Sequence, residues 1–175
     1  MDPIGRSWTD LSADVERLGG SGDAKARVAI ASYEFIGVVR NGGIGTANTE
    51  LGLALAREGH EVDFVFTGIG DAHEAEFERW RQHYLERGVR LHRTPGNAGA
   101  LCDSVIHSAD HSLALYRTLK ALDDERPYDV IHFVESLGHG FYSLQAKRSG
   151  VAFERATTVV VTLSLIHISE PTRPY

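Results

Sequence analysis

The stretch Val28-Ala29-Ile30-Ala31-Ser32-Tyr33-Glu34-Phe35-Ile36-Gly37-Val38-Val39-Arg40-Asn41-Gly42-Gly43-Ile44-Gly45-Thr46 decides the fold. It opens on a short apolar run of the kind that forms a strand buried on both faces. A glycine-rich loop follows and leads into a helical pattern over 46–58, with Ala47, Leu51, Ala54 and Leu55 on one face and Gly59 as the stop. Outward from this unit the alternation repeats. Val62-Asp63-Phe64-Val65-Phe66 reads as a second strand, and 71–87 as a helix with Phe77, Trp80 and Tyr84 on one stripe. Val89-Arg90-Leu91-His92 reads as a third strand. Asp103 or Ser104 caps a long helix carrying Ile106, Ala109, Leu113 and Tyr116. Asp129-Val130-Ile131-His132-Phe133-Val134 is a fourth strand, 141–148 a short helix and 157–162 a fifth strand. Strands that alternate with helices predict an α/β domain, an open parallel sheet with helices on both faces, over residues 26–162.

Both flanks read differently. Within residues 1–25, Trp8, Leu11, Val15 and Leu18 have the spacing of one amphipathic helix, and Gly19-Gly20-Ser21-Gly22 reads as a flexible linker. At the other end, Leu163-Ser164-Leu165-Ile166-His167-Ile168-Ser169-Glu170-Pro171-Thr172-Arg173 matches the translation of a transposon-end sequencing adapter at every position. Residues 163–175 are therefore expected to be a non-native tail, and the natural chain to be longer.

Composition narrows the function classes. Hydrophobic residues make up 42% of the 175 and charged residues 24%, enough to build a core. A net charge of −6 argues against nucleic acid as the main partner. The single cysteine, Cys102, leaves no intrachain disulfide and no cysteine-based zinc site, so a cytoplasmic setting is expected. No apolar run approaches the roughly 20 residues that span a bilayer, and nothing indicates membrane association.

In an open parallel sheet, ligands sit beyond the carboxyl ends of the strands. After the first strand, Gly42, Gly43 and Gly45 lead into a helix start whose free N–H groups favour a phosphate or carboxylate, with Arg40 as an added donor. The dinucleotide fingerprint is not met, because Asn48 holds the third glycine position, and no Gly-Lys-Ser/Thr is present. A glycine-rich turn without a ligand is the alternative. At the fourth strand, His132 and Glu135 suit sugar hydroxyls or proton transfer. A buried histidine bonded to backbone is the alternative there. His107 and His111 share a helix face, but Ser108 stands where a zinc-protease helix has Glu, so a solvated pair and no metal site is expected. Ser32 and Ser136 lack the hydrolase elbow.

Three segments in order carry a resemblance. They are Arg40-Asn41-Gly42-Gly43-Ile44-Gly45, then Glu58-Gly59-His60-Glu61-Val62, then Tyr128-Asp129-Val130-Ile131-His132. Together with the pattern over 141–148, they resemble the N-terminal, Rossmann-like half of GT-B-fold glycosyltransferases, family 4, kin to glycogen and starch synthases. The resemblance implies transfer of a sugar from a nucleotide-sugar donor to a hydroxyl acceptor, with retention and with no metal or other cofactor. It implies Arg40, Gly42, Gly43 and Gly45 near the donor phosphates, and Glu34, His132 and Glu135 near the acceptor. It also implies a C-terminal donor-binding domain in cis, without which the chain is expected to be inactive. Val134 stands where many members have a second histidine, so the resemblance gives His132 an acceptor contact rather than a catalytic duty. A stand-alone module that binds a nucleotide or phosphate is the second reading. A nicotinamide oxidoreductase is the third, and the missing glycine counts against it.

Overall fold

A computed structural model describes residues 25–39, 42–67, 74–95 and 107–162. Five strands form one sheet: β1 (Arg27–Ser32), β2 (Glu61–Phe66), β3 (Val89–Arg93), β4 (Val130–Val134) and β5 (Thr157–Val161). Four α-helices alternate with them: α1 (Gly43–Arg57), α2 (Glu74–Leu85), α3 (His107–Glu125) and α4 (Phe141–Arg148). The strand order is β3-β2-β1-β4-β5, and each neighbouring pair is parallel. This is the expected Rossmann-like sheet with helices on both faces. Arg40, Cys102, the proposed caps Asp103 and Ser104, and residues 1–24 and 163–175 lie outside the described residues.

Alternation along the strands builds two cores. Val28 and Ile30 of β1 face one way and pack with Phe64, Phe66, Phe77 and Tyr84, beneath α1 and α2. Ala29 and Ala31 face the other way and pack with Leu115, Leu119 and Phe133, beneath α3 and α4. Gly59 and Gly88 end α1 and α2 at φ +86° and +80°, a backbone region that disfavours side chains.

Two helices present faces other than those expected. On α1 the buried residues are Gly45, Asn48, Thr49 and Gly52, while Leu51 is 39% exposed. The reason is close approach to the sheet. A Cβ at Gly52 would stand 2.0 Å from the Phe64 ring, so small residues face inward and Leu51 leans out, while Leu55, on the expected face, packs against the margin of the core. On α3, Leu115 and Leu119 enter the core, whereas Leu113 and Tyr116 are only half-buried.

At the amino-terminal end of the strands, β2 buries one acid completely. Asp63 accepts hydrogen bonds from Arg27 (3.0 Å), Arg90 (2.6 Å) and Tyr128 (2.7 Å), and its Oδ1 lies 3.1 Å from His92 Nε2. Burial alone would raise the Asp63 pKa, but the bonds from His92, Arg90 and Tyr128 outweigh it and hold the carboxyl well below its usual range. Burial and the Asp63 charge together push the Tyr128 hydroxyl far up. This network ties β1, β2, β3 and the approach to β4 into one unit.

Candidate functional site at the carboxyl ends of the strands

The loop after β1 is held firmly. Tyr84 of α2 donates to the Ile36 carbonyl at 2.7 Å, and the Ile36 amide donates to Thr49 Oγ1 at 3.0 Å. Gly37 lies against Trp80, where a Cβ would come within 1.9 Å of the indole, and its φ is +81°. The aromatic stripe of α2 is thus core at Phe77 and Tyr84, while Trp80 also braces the loop. Ser32 Oγ accepts from Asn48 Nδ2 (3.1 Å) and from the Glu34 amide (3.2 Å), which fixes the turn out of the strand.

That turn aims Glu34 at the start of α1. One carboxylate oxygen, Oε2, accepts from the Gly42 amide at 2.9 Å and the Gly45 amide at 3.3 Å. No side chain of α1 itself caps the helix at Gly42, and its first turn carries no acid. A carboxylate from the preceding loop does that work, where the N–H groups and helix dipole favour negative charge. Gly43 sits beside them in open space. The structure therefore brings Glu34, expected at the acceptor, together with Gly42 and Gly45, expected at the phosphates.

His132 and Glu135 are less closely joined. His132 lies within β4, two residues short of its end, paired in register with Ile30 and Val159. It is 7% exposed, and burial lowers its pKa, which favours the neutral ring. Its Nε2 is buried without a hydrogen-bond partner among the described residues. It is therefore buried, and its Nε2 makes no bond to backbone. Glu135 follows the strand half-buried, and its amide donates to Val161 of β5 at 3.2 Å. The bridge toward Glu34 runs through neighbours, since Tyr33 Oη donates to Ser136 Oγ at 3.4 Å.

Other residues enter that the sequence reading did not assign. His139, 1% exposed, lies tilted against Tyr33 at 5.3 Å and edge-on to His111 at 6.4 Å between ring centroids. Burial, with a lesser contribution from His111, depresses the His139 pKa to about 4. His111 is 7% exposed, so it is not half of a solvated pair. The α3 face that carries it packs on α4, where Ser112 Oγ accepts the Tyr142 amide at 3.1 Å. The available signal was a histidine flanked by Gly138 and Gly140 at a helix start. Among the described residues, no group of three His, Cys, Asp or Glu could hold a metal ion. No described helix is long and apolar enough to cross a membrane.

Comparisons with known proteins bear on this geometry. A family model described as a glycosyl transferase 4-like domain matches residues 42–171, about three quarters of the chain and part of the 163–175 segment. The C-terminal domain of a hydrogenase from Pyrococcus furiosus superposes with a TM-score of 0.53 at 14% identity, covering 78% of this chain and 89% of that one. A second crystal structure of that domain gives 0.48 at 13% identity, covering 82% and 99%. At such identities the likeness of the first is one of α/β fold alone. No curated protein matches the sequence.

Proposed function

Because the chain belongs to the glycosyl transferase 4-like domain family, we propose that it is the acceptor-side half of a retaining glycosyltransferase using a nucleotide-sugar donor. Sugar donors and acceptors are the substrates of this family in general. On this reading the amides of Gly42 and Gly45, with Gly43 and Arg40 beside them, receive the donor phosphates. Glu34, His132 and Glu135 face the acceptor. Catalysis then rests on positioning and electrostatics, with no metal required.

The observation that carries the reading is the carboxylate of Glu34 on two converging amides, at 2.9 and 3.3 Å. The start of α1 already holds one anion, and a phosphate oxygen has the same needs. Donor binding then requires Glu34 to leave, which swings its carboxylate into the crevice.

The test is to offer the purified chain a nucleotide-sugar with a panel of hydroxyl acceptors. The expected result is no transfer and only weak nucleotide binding. Robust transfer by this chain alone would overturn the half-site reading. Micromolar nucleotide binding without transfer would instead favour a stand-alone binding module.

A further inference from the structure

At the end of the sheet opposite the crevice lies a cavity of about 270 Å³, lined chiefly by Lys25, Arg27, Arg126, Tyr128, Asp129 and Arg155. The chain carries a net charge of −6, yet this wall holds more cations than anions. Two of the cations are committed. Arg27 lies 4.0 Å over the Tyr128 ring, bonded to the Leu122 and Arg126 carbonyls and to Asp63. Arg126 is bonded to Glu61. The other two are exposed, and Lys25 Nζ donates to the Glu58 carbonyl at 2.6 Å. Asp129, the acid in the wall, has Oδ2 tied to the Arg27 amide at 2.7 Å.

The committed pair stiffens the wall, and the exposed pair supplies N–H donors of two geometries. Lys25 and Arg155, both of which line this cavity, offer an ammonium and a guanidinium to a compact dianion with several acceptor oxygens. The volume suits a small molecule. We propose that this cavity binds a small phosphate monoester, at a site separate from the donor-phosphate loop and independent of the transferase reading.

The test is amide shift mapping on the full chain, titrated with a hexose monophosphate at fixed ionic strength and, separately, with the neutral hexose. The expected result is saturable shifts at Lys25, Asp129 and Arg155 with the phosphate only. Lys25→Gln with Arg155→Gln should weaken those shifts by roughly tenfold or more. Both positions are exposed, so the fold should be retained, as the unshifted remainder of the spectrum would verify. Shifts at the glycine loop as well, untouched by the double variant, also support two separate sites. Shifts confined to 42–46, no shifts at all, or equal affinity in the double variant would overturn the proposal. None of these results depends on whether the chain's crevice serves sugar transfer.

Discussion

The two ends of this sheet handle polar groups in different ways. At the amino-terminal end, a fully buried acid is answered by Arg27, Arg90, His92 and Tyr128, and Arg27 Nε is itself buried without a partner among the described residues. At the carboxyl-terminal end, His132 Nε2, His139 Nδ1 and Ser143 Oγ are buried without partners among the described residues. There, two helix amides are met by the side chain of a half-buried loop residue, Glu34. Satisfied buried networks specify and lock a fold, whereas unsatisfied buried groups cost stability. The contrast separates the end that holds the domain together from the end available for ligands.

That contrast can be broken in graded steps. The largest effect is expected at the locked end. Asp63→Ala strands the Arg27 guanidinium, which is 7% exposed, and should cost about 3–5 kcal/mol in urea unfolding. A near-neutral result would mean that the network is not a lock. Next comes acid titration at the open end. Burial lowers the folded pKa of His139 to about 4, so the unfolded chain takes up that proton first. Stability should therefore fall as pH drops from about 6.5 toward 4, by up to about 3 kcal/mol. His139→Gln should flatten that slope. The Asp63 carboxyl is also depressed, by its hydrogen bonds and against burial, and its contribution is lost only below about pH 4. The two ends thus titrate in separate windows.

A smaller loss, above about 2 kcal/mol, is expected for Gly37→Ala, which meets both a positive φ and the Trp80 ring. Thermal melts would check it, and a stability unchanged from the parent would mean that the loop gives way easily. The smallest stability change is expected for Glu34→Gln. Removing a charge from a helix start costs about 0.3–1 kcal/mol. Chemical denaturation would register it.

Much of the sheet was legible because apolar runs such as that of β1, and the glycine stops at 59 and 88, encode it locally. The helix faces were less so. The inward face of α1 is Gly45, Asn48, Thr49 and Gly52, chosen by close packing on Phe64 rather than by hydropathy. The glycine loop could be placed from spacing and the helix dipole. That Glu34 would seat itself on the loop could not, because the contact spans eight residues and depends on the turn fixed by Ser32 and Asn48. His139 escaped for a similar reason, since its neighbours Tyr33 and His111 are distant in sequence.

The most direct test of the account follows the amides of Gly42 and Gly45 while a nucleoside diphosphate is added to the parent chain and to Glu34→Gln. The account predicts weak, saturable shifts at those amides in the parent and tighter binding in the variant, because the internal anion no longer competes. Shifts elsewhere only, or an affinity that falls when Glu34 loses its charge, would contradict it.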